Sequence, residues 1–322
     1  MLFVLLLAVC ALQAPLPSTP QQPAAQALDA RLGAEGAALL ERMADAYGGR
    51  DAWRAQGGAA WDQLETLRVE KQPGSGQWSV HSRVPRRAVF DPLGQGWLLS
   101  EYARYDEPSA RVVRDLYRQV RHAEAAWAEH AGLPDRAAAT AARARDTLQR
   151  EFLLGALPFA LPELGARVRE LEPVVLGERR ALRIALLLDT PLSLQADETV
   201  TELELFVDAA SAEPLRLAYT ASGSGPAGSA ASRQRAWIDF SGRIQAGKVF
   251  LPALREHHLE QGARSARVEL ARTRPGTPDP AGLRRPWVSG RVWDGAERAL
   301  SWDPPAAESG QAVLESMPAA GR

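Results

Sequence analysis

What most constrains this chain is the alternation of apolar with polar residues over much of its length. A two-residue period sends successive side chains to opposite faces, the pattern of a strand with one face buried. Leu67 and Val69 alternate with Arg68 and Glu70. After Pro73-Gly74-Ser75-Gly76, Trp78, Val80, Ser82 and Val84 alternate with Ser79, His81 and Arg83, and Pro85 is expected to end that strand. Residues 88–90 and 97–99 read as two further strands, split by Asp91-Pro92-Leu93-Gly94. From Ala166 the alternation returns in Leu182, Ile184, Leu186 and Leu188, and then in Leu203, Leu205 and Val207. Leu215, Leu217 and Tyr219 continue it beyond a turn over 208–214. Strands over 233–240, 250–259 and 268–271 follow, and 290–293 with 300–302 can close the sheet.

Helical spacing interrupts this pattern twice. Leu39, Leu40, Met43 and Tyr47 recur at helical intervals and stop at Gly48-Gly49, with Gly48 as the expected left-handed residue after the helix. Later, residues 123–130 are alanine-rich, and 137–154 hold neither Gly nor Pro. Ala144, Leu148, Phe152 and Gly155 fall on one stripe there. The order is thus a helix, about four strands, a helical insert at about 120–158, then about seven strands. There is no strand–helix alternation of the dinucleotide-binding type and no fixed-period repeat. The fold class expected is α+β, mainly antiparallel β, with a few helices on a large sheet.

The first residues point to export. Residues 2–12 form an apolar run too short to span a bilayer but of the length of a signal-peptide core. A charge-free stretch rich in Pro, Gln and Ala follows to residue 27 and reads as a spacer. Cys10, the one cysteine, lies in the apolar run, where Leu7-Ala8-Val9-Cys10 comes close to a lipid-attachment motif although Val9 is not small. With Cys10 removed, no disulfide, cysteine-held metal or thiol nucleophile remains. The expected organisation is a signal peptide and spacer over 1–27, one domain over 28–303, and a disordered tail over 304–322. The net charge of -1 offers no basic excess for nucleic acid.

Motifs that would name a chemistry fail on context. Gly223-x-Gly225-x-x-Gly228 contains Pro226 and precedes a strand, whereas the dinucleotide fingerprint must open a helix. Gly242-x-x-x-x-Gly247-Lys248 is followed by Val249, where a phosphate loop needs Ser or Thr. No Gly-x-Ser-x-Gly is present. Adjacent His257 and His258 should face opposite sides of a strand, though Glu256 or Glu260 could share a side with His258. Glu202 and Glu204 share one face with Leu203 and Leu205 on the other, an ordinary solvated edge pattern. No metal or cofactor is called for by these residues.

The tryptophans are the compositional anomaly: nine, against seven Phe and five Tyr. Trp78, Trp97 and Trp237 fall on expected strands, with Trp293 and Trp302 near the end. If one face of the sheet holds a cavity, Trp78, Val80, Trp97 and Trp237 are candidates to line it, together with Ile184, Leu186, Leu205, Leu217 and Tyr219. The same residues could equally fill a core.

Two stretches carry a family resemblance. One is Ala46-Tyr47-Gly48-Gly49, then Trp53, then Leu64 and Leu67. The other is Leu203-Glu204-Leu205-Phe206-Val207-Asp208 and Pro214-Leu215-Arg216-Leu217, followed by Trp237-Ile238-Asp239-Phe240-Ser241-Gly242 and Gly247-Lys248-Val249-Phe250-Leu251-Pro252. Over most of residues 34–260 this ladder resembles the LolA/LolB-like superfamily of exported bacterial proteins, which includes outer-membrane lipoprotein-sorting-like members. The resemblance implies an incomplete curved barrel with helices packed over one face, and a cavity for acyl chains or other hydrophobic ligands with no catalytic site. It implies a hydrophobic small molecule or lipid as partner, with envelope proteins as further candidates, and residence in the periplasm or cell envelope. Two alternatives stay open: a secreted hydrolase or metal-dependent enzyme using His257 and His258, and a structural envelope protein with no ligand.

Overall fold

The structure is a computed structural model that describes residues 22–276 except 73–74, 107–110, 124, 131–132, 136, 196–197, 223–232 and 260–263. Cys10 and the leader, the Gly223–Gly228 pattern, Glu260, Trp293, Trp302, the strands expected at 290–293 and 300–302, and the tail lie outside the described residues.

Six strands precede the central helices: β1 (Ala59–Glu70), β2 (Trp78–Phe90), β3 (Gly96–Asp106), β4 (Arg111–His122), β5 (Ala125–His130) and β6 (Leu133–Asp135). Seven follow: β7 (Ala166–Leu176), β8 (Arg179–Gln195), β9 (Glu198–Asp208), β10 (Pro214–Ser222), β11 (Arg233–Ala246), β12 (Val249–Leu259) and β13 (Arg264–Pro275). All belong to one sheet in the order β6-β5-β4-β3-β2-β1-β13-β12-β11-β10-β9-β8-β7. Each half is a meander, because strands consecutive in sequence pair antiparallel. The halves meet where β1 pairs with β13, from Ala59↔Pro275 to Val69↔Arg264. Among the described strands, the sheet ends at β6 and β7.

Among the described residues, four helices accompany the sheet: α1 (Gln22–Ala46), α2 (Arg50–Ala55), α3 (Ala138–Gly155) and α4 (Leu157–Glu163). α3 and α4 carry the chain from β6 to β7, and so from one edge of the sheet to the other. α3 packs against β5, β4 and β3 and also against β8 and β12. β5 and β8 stand ten strand positions apart, which on a flat sheet is about 48 Å. α3 is about 27 Å long and about 10 Å thick. It can touch both only if the sheet curls around it. The molecule is therefore an open, strongly curved antiparallel sheet with helices on its inner face, as the expected fold class requires. Register shifts at Asp62/Gln63, Leu67/Arg68 and Val168/Glu170 add local bend.

Inside and outside separate by residue parity. Ala59, Trp61, Ala88, Phe90 and Leu98 join the helices in the main core, whereas Ala60, Val89, Trp97 and Leu99 form a second cluster behind the sheet with Val120 and Trp127. The stripe expected on α3 is buried: Ala144, Leu148 and Phe152 face the sheet. Its last turn lies so close to the sheet that a Cβ on Gly155 would fall 2.3 Å from Trp61. α1 buries Leu39, Leu40 and Met43, and Tyr47 just past its end is buried with them, as their spacing predicts. Gly48 follows at φ +107°, and the chain is then tied to β12 by the Phe250 amide donating to the Tyr47 carbonyl at 2.8 Å. Arg243 closes the same end, donating to the Ala46 carbonyl at 2.7 Å with its guanidinium over the Tyr47 ring.

Four expectations need correction. Within the alanine-rich stretch, residues 125–130 are not helical: β5 pairs with β4 from Tyr117↔His130 to His122↔Ala125. Trp127 and Glu129 are buried behind the sheet, and the alternating Ala126 and Ala128 are small enough for α3 to pack on that strand, so tertiary contacts override the helix preference of alanine. Pro85 does not end β2, because the ladder to β3 stops at Arg86 and asks no amide of residue 85. α1 begins at Gln22, inside the stretch read as spacer. A second helix, α4, follows Gly155, with Pro158 at its first turn, where a missing N–H costs nothing.

Candidate functional site: the inner face of the sheet

The inner face is laid down in cross-strand rows. Ile184 faces Leu205, Leu205 faces Leu217, Leu217 faces Ile238, and Ile238 faces His257. Neighbouring rows place Leu186 opposite Leu203 and Tyr219 opposite Ala236. The structure thus brings Ile184, Leu186, Leu205, Leu217 and Tyr219 together on the side of the sheet that carries the helices, and all are buried. α3 and α4 cover this floor with Leu148, Phe152, Leu153, Leu157, Phe159 and Leu161. Rings link the layers: Trp61 packs on Phe90 at 5.4 Å, Phe90 on Phe152 at 5.6 Å, and Trp53 stacks on Phe159 at 4.9 Å. Side chains of the protein itself occupy the inner face.

The remaining four candidates do not join them. Trp97 is buried behind the sheet, where the Arg118 guanidinium lies over its ring. Trp237 also faces outward, stacked on His258 at 5.3 Å with Arg216 on the ring. Trp78 and Val80 are exposed at the start of β2. Parity explains the split, since Trp97 and Trp237 are odd-numbered neighbours of the inward Leu98 and Ile238.

The two histidines part as expected. His258 points outward, and its Nε2 lies 3.4 Å from Asp239, which also takes two hydrogen bonds from Arg216. His257 points inward, to the end of the apolar row. A site using both is therefore not formed. Among the described residues, no group of three or more His, Cys, Asp and Glu is arranged to hold a metal ion. Gly247-Lys248 is the hairpin between β11 and β12, not a phosphate loop. No helix of the described residues is long and apolar enough to cross a membrane.

Within this apolar interior lies a polar cluster that sequence reasoning missed. Arg255 of β12 is 1% exposed. One of its terminal nitrogens, Nη2, donates to Glu151 of α3 at 2.9 Å and to Gln63 of β1 at 2.7 Å. Gln63 also accepts from the Trp61 indole at 3.0 Å. Arg255 Nε and Nη1, Gln63 Nε2 and His257 Nε2 are buried with no hydrogen-bond partner. A buried donor left unmet costs about 1–3 kcal/mol, so the cluster is a strained part of the core. Burial pushes the His257 imidazole down to about 3, with the charges of Arg255 and Arg150 adding to the effect, so it is neutral at ordinary pH. Burial likewise holds Arg150 below its usual range, offset in part by Glu151. Arg86 pairs with Glu65 at 2.5 Å on the adjoining strands. A signal was present in the sequence. Glu151 follows Leu148 by three residues and so falls within the buried helical stripe, and Arg255 shares strand parity with Leu251.

A cleft of about 790 Å³ lies beside the edge strand β7. Ala37 and Leu40 of α1, Pro162 of α4, Val168 of β7 and Leu187 of β8 give it apolar walls. Its charged side chains are already matched: Arg50 with Glu41 and Glu163, Arg167 with Asp189, and Arg169 with Glu202.

No family model and no curated protein matches this sequence. Solved structures do show similarity in chain path. A domain named for outer-membrane lipoprotein sorting, from Vibrio parahaemolyticus, is 12% identical, with 73% of this chain and 93% of that one covered at a TM-score of 0.44. A DUF1329 family protein from Desulfovibrio piger is 9% identical over 76% and 92% of the two chains, at 0.45. A LolA superfamily protein from Nitrosomonas europaea is 8% identical over 70% and 89%, at 0.40.

Proposed function

We propose that this protein is a non-enzymatic envelope protein that holds an apolar ligand, a lipid or an acyl chain, against the inner face of its curved sheet. The observation that carries the reading is the nature of what fills that face now. α3 and α4 cover the apolar rows of the inner face, yet the strand ladder contains none of their backbone. Moving them exchanges side-chain contacts and leaves the sheet intact. A ligand chain that replaces those contacts restores the burial, at about 25 cal/mol per Å² of apolar surface. α1 is fastened at its C-terminal end by Phe250 and Arg243, and the cleft beside β7 borders Leu40 of the core. That cleft is the point of entry in this reading.

The complete filling of the inner face favours a second reading, a structural protein whose sheet simply packs on its helices. One experiment separates the two. Native mass spectrometry of the full chain purified from its own host is expected to show adducts of acyl-lipid mass. The lipid-stripped protein is expected to take up dodecanol saturably. If no adduct is seen, and neither dodecanol nor dodecanoate binds saturably, the structural reading stands instead.

A further inference from the structure

The inner face carries one feature that a purely apolar ligand does not explain. Arg255 is buried in the middle of β12, on the side of the sheet that faces α3. Only Nη2 is engaged, and its carboxylate partner comes from the helix that fills the interior. Nε and Nη1 of the same guanidinium, with Gln63 Nε2 beside it, are donors without acceptors. Resting on the reading above, we infer that Arg255 and Gln63 form the head-group site for a carboxylate-bearing amphiphile such as a fatty acid, and that Glu151 occupies that site in the closed molecule.

Donor geometry, charge and attachment point the same way. A guanidinium presents its donors as a planar fork that matches a carboxylate in two-point fashion. Glu151 uses one prong, so the site is held by a poorer partner than the one it is shaped for. The Arg150 guanidinium adds positive charge beside the site, and His257 there is neutral. Glu151 is also the part of the cluster that belongs to α3, whereas Gln63 and Arg255 are fixed on strands β1 and β12. When α3 withdraws, Glu151 leaves and the strand donors remain. A ligand carboxylate then competes with Glu151 for Arg255, and its chain takes the apolar rows beyond His257 that α3 gives up. Head-group capture and helix release become one event. The cleft beside β7 does not serve this role, because its cations already have carboxylate partners.

The test compares dodecanoate, dodecanol and acetate on the lipid-stripped full chain by titration calorimetry, with the variants Glu151→Gln and Arg255→Gln. The wild type is expected to bind dodecanoate at least about tenfold more tightly than dodecanol, a difference of about 1.4 kcal/mol. Glu151→Gln is expected to tighten dodecanoate several-fold while leaving dodecanol unchanged. Arg255→Gln should bring the two chains within about twofold of each other. The wild-type series and Glu151→Gln keep the test valid if Arg255→Gln does not fold. Equal affinity for dodecanoate and dodecanol in the wild type overturns the head-group site and leaves apolar binding standing. Acetate binding as tightly as dodecanoate overturns the amphiphile in favour of a small-anion site. Failure of both chains to bind overturns the apolar reading, and this one with it.

Discussion

His257 and Arg255 are ordinary strand residues placed where the sheet needs them to be apolar. His257 has a folded pKa near 3 and an unfolded value near 6.5. Between those values the unfolded chain binds more protons than the folded one, so the imidazole weakens the fold as pH falls through this window. The slope is about 1.4 kcal/mol per pH unit for one proton. Urea unfolding of the wild type and His257→Gln is therefore expected to differ in pH dependence below pH 6.5, with the wild type losing stability faster. Parallel curves would mean that the imidazole is not held neutral. Legibility at this scale was uneven. The opposed directions of His257 and His258 follow from strand geometry and could be read in advance. The partnership of Glu151, Gln63 and Arg255 could not, because it joins residues 104 and 192 positions apart in sequence. The inward group Ile184, Leu205 and Leu217 was legible as alternation. Trp97 and Trp237 take the outer face because parity, not bulk, decides the side of a strand residue.

Elements are legible in the sequence where their period is long and obscure where composition is the one signal. The stripe Ala144, Leu148, Phe152 was sufficient to place α3. The alanines of β5 suggested a helix, but their use is to be small beneath one. Pro85 was read as a stop because sequence does not say which neighbour ends first. α3 provides a test of how the interior is held. Phe152 is 1% exposed and packs on Phe90. Phe152→Ala is expected to cost about 3–5 kcal/mol of stability, read as a lower urea midpoint. If α3 is the part that yields to a ligand, the same variant should take up dodecanol more readily than the wild type. A lower midpoint with unchanged or weaker uptake would show that α3 only supports the sheet.

For the whole molecule, the alternation of single strands could foretell a large antiparallel sheet but not the order of its strands. The joint between β1 and β13 is written nowhere locally, since it links residues at opposite ends of the described chain. Among the described strands it is the one ladder that unites the two meanders. Leu270 lies in it, opposite Gln63. Proline cannot donate to a strand ladder, so Leu270→Pro is expected to lower the urea midpoint. It is expected to replace a single urea transition with two, one for each half. A single transition at a lower midpoint would show that α3, bridging both edges, is enough to couple them.

That joint also sets a schedule. β1 has β2 as an immediate neighbour, but its other edge stays unclaimed until residues 264–275 have been made and delivered. An edge strand left open invites pairing with other chains. Contacts this distant in sequence form slowly. A chain with this topology is best kept unfolded until all of it has reached one place.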